Sequence, residues 1–357
     1  MLNPLHLILE DNTVLTGQSF GAEKNTDGEV VFNTGMMGYP ESLTDPSYTG
    51  QILVLTYPLV GNYGVPKMSL DKDNLHDFFE SGKIRVRGLV VTEYSENYNH
   101  WNAEKSLGDW LKEEGIPAIT GIDTRALTQK IREKGTMLGC ISFQEKKYEP
   151  VHPPDSDNLA AEVSIKKPIT YNRGRKHIAL IDTGCKENII REFLKRNITV
   201  TRVPWNQNPF ELKQKFDGVF FSNGPGDPAV PVETHETMRE CFKREIPTFG
   251  ICLGNQIMGI AAGAKTYKLK YGHRAQNQPC TDLETNRCYI TSQNHGFAIN
   301  EKTLPKGWHT WFKNQNDNTV EGIKHSSKPF FSVQFHPEAT PGPNDTTFLF
   351  EKFINLL

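Results

Sequence analysis

The chain has 357 residues, more than one ordinary hydrophobic core accommodates and a comfortable length for two domains. Its composition is that of a soluble globular protein, 37% hydrophobic and 23% charged, and 40 basic against 42 acidic residues leave a net charge of −2, so neither nucleic acid nor an anionic membrane is an expected partner. No apolar run approaches the roughly 20 residues of a membrane span, and six cysteines without a CxxC pair or a zinc pattern point to reduced thiols and no metal site.

The start, "MLNPLHLILEDNTV", reads as a strand and a turn, not as a signal or transit peptide; the expected location is cytoplasmic, with mitochondrial as the alternative. Short β-like runs continue through residue 145: "LHLILE", "TVLTGQSF", "GEVVFNTG", "QILVLTYP" and "RVRGLVVTEY", with "EDN" as a hairpin turn between the first two. Two helical segments follow, "EKSLGDWLKEEG" and "DTRALTQKIREKG". The second opens on Asp123 as N-cap and ends on Gly135. Residues 1–145 are expected to form an α+β domain. Residues 146–176, rich in Pro, charge and small polar side chains, are expected to be a connecting segment.

From residue 177 to 357 strand and helix alternate. "HIALIDTG", "ITVTRVPW", "FDGVFFSNG" and "IPTFGI" are strands, and "KENIIREFLKRN", "VETHETMRECFKRE" and "QIMGIAAGAK" are helices. This alternation predicts parallel βαβ units in an open, mainly parallel twisted sheet, with its active site at the carboxyl ends of the strands. "RCYITSQNH", "HTWFKNQ", "TVEGIKH" and "FFSVQFH" predict an antiparallel extension, and "NDTTFLFEKFINLL" a closing helix.

"FGICLGNQ" places Cys252 between Gly250 and Gly254, the form G-x-nucleophile-x-G of a sharp strand-to-helix corner. Such a corner exposes the central side chain in a strained backbone conformation, at a helix start that favours negative charge on sulfur. The alternative is a small buried hydrophobe at a crowded corner, the usual fate of a free cysteine. His336, in "FFSVQFHPE", follows an apolar strand and so lies at the same sheet edge; Glu338 is placed to hold its imidazole. Acyl transfer also needs donors for a developing oxyanion. The backbone N–H of Leu253 is one candidate. The turn "SNGPGDP", residues 222–228, is a second, because Gly224 and Gly226 let amides approach a ligand; an ordinary βα turn is its alternative. The glycine turn lacks the P-loop spacing.

"GICLGNQ", "SNGPGDP" and "QFHPE" together resemble the class I, triad-type glutamine amidotransferases. "EVVFNTGMMGYPESLTDPSYTGQILVLTYPLVGNYG" resembles the N-terminal domain of the glutaminase part of carbamoyl-phosphate synthetase, and "SQNHGFA" and "GHRAQNQP" fit the same glutaminase, closest to the eukaryotic fused form. The resemblance covers essentially the whole chain. It implies L-glutamine as substrate, glutamate and ammonia as products, and a γ-glutamyl thioester as intermediate. The ammonia goes to a synthetase domain or subunit of pyrimidine or arginine/urea synthesis. It assigns Cys252 as nucleophile, His336 as base and Glu338 as its orienter. Glutamine contacts are implied at Ser47, Gly224, Gly226, Leu253, Gln256, Asn294, Gly296 and Phe297. Ser47 otherwise reads as a turn hydroxyl, Gln256 as a helix-surface residue and Asn294 as a turn former, while His295 reads as structural. No cofactor is expected in this region; ATP, bicarbonate and magnesium belong to the synthetase part. The family stretch is commonly "CLGHQ", whereas residue 255 is asparagine here. Two rivals are a catalytically silent regulatory or docking module of the same fold, and the glutaminase of another biosynthetic complex such as anthranilate synthase.

Overall fold

The computed structural model describes residues 3–145 and 147–357. Residues 1 and 2 of the expected first domain and residue 146, the first of the expected connector, lie outside the described residues. The chain divides into two compact units, Met1–Asp157 and Asn158–Leu357.

The first unit is built on strands β1 (Pro4–Leu9), β2 (Val14–Ser19), β3 (Thr26–Asn33), β4 (Gln51–Leu55), β5 (Gly88–Val90), β6 (Ala118–Thr120) and β7 (Met137–Ser142). Asn12, at φ 65°, makes the tight turn that pairs β1 with β2. Within the expected α+β domain, the strands close into a barrel in the order β1-β7-β3-β4-β5-β6-β2. Closure depends on β7 returning to β1, with His6 opposite Ser142, a pairing between the two ends of the unit that no local pattern announces. Helices α1 (Leu107–Glu113) and α2 (Thr124–Lys134) follow their expected positions, and the Asp123 side chain caps α2 by accepting from the Ala126 amide. Trp110 and Leu111 of α1 join Val31, Leu53 and Leu89 in one buried cluster. Ser47 sits in a single 3-10 turn, Pro46–Tyr48, just before β4.

The second unit holds a ten-stranded sheet of β8 (Ile169–Tyr171), β9 (His177–Asp182), β10 (Thr199–Pro204), β11 (Gly218–Phe221), β12 (Thr248–Ile251), β13 (Thr266–Asp282), β14 (Arg287–Ile299), β15 (Trp308–Asn314), β16 (Val320–His325) and β17 (Phe330–Val333). The order is β8-β10-β9-β11-β12-β17-β16-β15-β13-β14. The central run from β10 to β17 is parallel, and the strands outside it pair antiparallel. The parallel part is therefore half of the sheet, not most of it. Part of the expected connector belongs to this unit, because β8 pairs with β10 through Ile169–Tyr171.

Helices α3 (Glu187–Lys195), α4 (Val232–Arg244), α5 (Leu253–Ala262) and α6 (Phe348–Ile354) cover the parallel strands. The period-2 alternation of the strands assigns the two faces. Phe220 and Phe249 pack edge-on with Phe193 of α3 and Phe350 of α6. Val219 and Phe221 cluster instead with Met238 of α4 and Ile257 of α5. β11, β12 and β17 thereby end together, and the segments that follow them form one edge.

Candidate active site

The corner between β12 and α5 has the backbone its sequence demands. Cys252 stands at φ 56° and ψ −103°, outside the regions that L-residues favour, between a strand that ends at Ile251 and a helix that starts at Leu253. Its amide donates to the Val333 carbonyl at 2.9 Å, which ties the corner to the end of β17. The flanking glycines are steric requirements. A Cβ on Gly254 would lie 2.4 Å from the Phe221 carbonyl oxygen, and one on Gly250 2.6 Å from the Gly254 carbonyl oxygen. The amide of Gly254 is bound to the Ser222 carbonyl, and those of Asn255 and Gln256 to the Cys252 carbonyl. The Leu253 amide is the first of the helix and has no intrahelical acceptor. The thiol is buried, 3.6 Å from the Asn294 carbonyl oxygen. Burial raises the pKa of the Cys185, Cys241 and Cys280 thiols, which marks those three as inert.

His336 lies just past β17, its amide bound to the Ser292 carbonyl. Its Nδ1 is 2.7 Å from Oε1 of Glu338, and both side chains are buried. The other ring nitrogen, Nε2, is buried, bonded to no oxygen or nitrogen, and has the Cys252 thiol as its polar neighbour. Burial disfavours the imidazolium, but the charges of Glu338 and Cys252 outweigh it and push the His336 pKa up to about 10. Burial likewise disfavours the Glu338 carboxylate; Lys186 and His336 outweigh that and bring it down to about 2. Lys186, at the start of α3, places Nζ 3.1 Å from Glu338 Oε1 and also donates to the Ala339 carbonyl. Asn188 donates its side-chain amide to the Glu338 carbonyl. A thiol at a strained corner, an imidazole with one nitrogen held and the other beside that thiol, and a carboxylate kept ionised make up the parts of a nucleophile, base and orienter.

The turn after β11 lies beside this corner. Gly224 packs so closely on the Thr183 carbonyl that a Cβ would reach within 2.1 Å of it, and Leu253 touches the same spot. Gly226 has φ 88°. Asn294, Gly296 and Phe297 lie on β14. Gln256 is not a helix-surface residue: it is buried and donates Nε2 to the Phe297 carbonyl at 2.9 Å. Cys252, His336, Glu338, Gly224, Gly226, Leu253, Gln256, Asn294, Gly296 and Phe297 all belong to the second unit, and Ser47 to the first.

The class-I glutamine amidotransferase family matches residues 179–356, and the carbamoyl-phosphate synthase small chain, CPSase domain, matches residues 7–141. The multifunctional protein CAD of Squalus acanthias is 52% identical over 98% of this chain and 16% of its own length. The mitochondrial carbamoyl-phosphate synthase [ammonia] of Homo sapiens is 49% identical over 99% of this chain and 24% of its own. An arginine-specific small chain of carbamoyl phosphate synthase from Neosartorya fischeri is 47% identical over 97% of this chain and 78% of that protein. The chain belongs to the carbamoyl-phosphate synthase small-chain family. It spans less than a quarter of the length of the multifunctional relatives it matches and most of the separate small chain.

Within this small-chain framework, Asn255 has a defined place despite its departure from the common histidine. It is fully buried, accepts from the Ser332 hydroxyl at 2.9 Å and donates to Gln334 Oε1 at 3.0 Å. Gln334 Oε1 accepts from Gln256 as well, at 3.1 Å. Sequence reasoning missed Lys186, Asn188 and Gln334. Lys186 and Asn188 sit in a stretch that reads only as an amphipathic helix, and Gln334 opens "QFHPE", where the chemistry singles out only the histidine and the glutamate. No local spacing links any of them to the cysteine corner.

Proposed function

We propose that this chain is a glutaminase that releases ammonia for a synthetase. The thiol proton resides on Nε2 of His336, as an imidazolium that Glu338 supports, and Sγ of Cys252 attacks the carboxamide carbon of L-glutamine. The amide of Leu253 and an amide of the 222–228 turn receive the oxyanion. The tetrahedral adduct collapses to a γ-glutamyl thioester as His336 returns the proton to the leaving nitrogen, which departs as ammonia. Water then adds to the thioester with His336 again as base, and glutamate leaves. Glu338, held ionised by Lys186, keeps Nδ1–H fixed and stabilises each imidazolium. Asn294, Gly296, Phe297 and Gln256 contact the substrate; Ser47 is assigned the same role by family likeness alone. The ammonia serves carbamoyl phosphate synthesis for pyrimidine or arginine/urea production. ATP, bicarbonate and magnesium are assigned to the synthetase part by family likeness alone.

The observation that carries this reading is the buried His336 ring, with Nδ1 on Glu338 and Nε2 beside the thiol of a strained Cys252. A silent docking module has no use for a buried imidazolium and carboxylate whose charges must be offset. The test is release of glutamate and ammonia from L-glutamine by the wild type and by Cys252→Ala. Hydrolysis by the wild type and none by a folded Cys252→Ala variant is the expected outcome; equal rates in the two would refute the reading.

A further inference from the structure

A second buried charge cluster lies behind the strand that carries Asn294, Gly296 and Phe297. β14 is an edge strand paired only with β13, so one row of its backbone groups has no neighbouring strand to fix it. The register of β13 slips between Lys268 and His273, and Gly272 occupies the slip at φ 70°. A Cβ there would lie 2.5 Å from the His295 carbonyl oxygen. The bulge sets His273 directly across from His295 and Arg274 across from Asn294.

His273 is held from both sides. Nε2 is 2.8 Å from Oδ2 of Asp317, and Nδ1 is 3.2 Å from Oε1 of Glu321. Burial disfavours the charge on both His273 and Glu321 and pushes the Glu321 carboxyl up, but the hydrogen bonds to Asp317 and Glu321 outweigh burial at His273 and raise it to about 9, so the ring bridges the two carboxyls as an imidazolium. Glu321 is fully buried; its Oε1 also lies 3.7 Å from Nε2 of His295, a packing contact, while that nitrogen is 3.3 Å from Oε1 of Gln293. His295 lies edge-on to the His273 ring, with centroids 4.9 Å apart, and its Nδ1 is 2.9 Å from the Phe297 carbonyl oxygen. That carbonyl is also the one that accepts from Gln256, on the first turn of the nucleophile's helix. An unbroken series of contacts thus runs from half-exposed Asp317 through His273, Glu321 and His295 to the Phe297 carbonyl and α5.

We propose that His273 and Glu321 are positioning residues for glutamine. Their ion pair packs against the His295 ring, which Gln293 and the Phe297 carbonyl also hold, and the ring braces the backbone of residues 294–297 on an edge strand that lacks a second neighbour. Neither residue touches the reacting atoms. The inference rests on the glutaminase reading, in which residues 294–297 contact the substrate. Removing the pair loosens binding, while the chemistry of Cys252, His336 and Glu338 is left intact.

The experiment is glutamine hydrolysis by the full-length protein, as wild type, His273→Asn and Glu321→Gln, with KM and kcat determined separately. Alkylation of Cys252 by iodoacetamide reports whether the corner is intact. The expected result is a KM about tenfold higher in each variant, the factor one charge-assisted hydrogen bond supplies. kcat and the iodoacetamide rate stay within about twofold of wild type, a change of under half a kcal/mol in barrier. Glu321→Gln preserves shape and removes only charge, so it decides the matter if His273→Asn fails to fold. An unchanged KM, or a fall in kcat alone, overturns the proposal and leaves the glutaminase reading standing. A wild type without hydrolysis overturns both. The ligand atoms of His273, His295 and Glu321 lie within 4.8 Å of one another. A stoichiometric metal in the purified wild type that is absent from His273→Asn would therefore replace the ion-pair account with a metal site.

Discussion

Glu338 keeps its charge away from water because Lys186 and His336 lie against it. The arrangement separates the two triad partners by what each does. In the proposed mechanism His336 moves protons in every step, whereas Glu338 orients and stabilises. His336→Asn should therefore lower kcat by about 10²–10⁴-fold, the range of a lost general base. Glu338→Gln retains an amide oxygen that can accept from Nδ1–H and should lose less, although it leaves the Lys186 charge without its carboxylate. Turnover normalised to folded protein by circular dichroism checks this, and a reversed ranking would contradict the assigned roles. At this scale the sequence was informative wherever chemistry is local. Cys252 announces itself through its two glycines, and His336 and Glu338 through a strand end followed by His-Pro-Glu. Lys186, Asn188, Gln334 and the pair His273 and Glu321 act across strands and loops distant in sequence, so their roles appear only once the sheet is assembled.

The β12–α5 corner is the element on which the site depends, and its constraint is backbone against backbone. In Gly254→Ala the added methyl meets the Phe221 carbonyl oxygen, which belongs to a central parallel strand and cannot move aside. Overpacking of this kind costs about 1–3 kcal/mol, which lowers Tm by several degrees in a unit of this size. The displaced helix start should also take the Leu253 amide and Cys252 out of line and abolish hydrolysis. A scanning calorimetry trace and a glutaminase assay on Gly254→Ala test both effects; unchanged values would show that the corner tolerates a side chain. Helices capped by local signals, such as α2 between Asp123 and Gly135, are legible because capping is a short-range interaction. Closure of the first barrel and the extent of the antiparallel flank in the second unit are not, because each depends on pairing between segments far apart in sequence.

At the scale of the whole molecule, two folded units carry two family likenesses, and the proposed nucleophile, base and orienter all reside in the second. No helix among the described residues is long and apolar enough to cross a membrane. The chain spans only 17% and 16% of the length of two multifunctional relatives it matches. The proposed function rests on one covalent event, the transfer of the γ-glutamyl group to Cys252. The direct measurement is mass spectrometry of the protein mixed with L-glutamine and quenched in acid during turnover. The account predicts a γ-glutamyl adduct on the peptide that contains Cys252, formed and lost at rates compatible with glutamate release. Glutamate released with no adduct on that peptide, or with the adduct on a different cysteine, would contradict it.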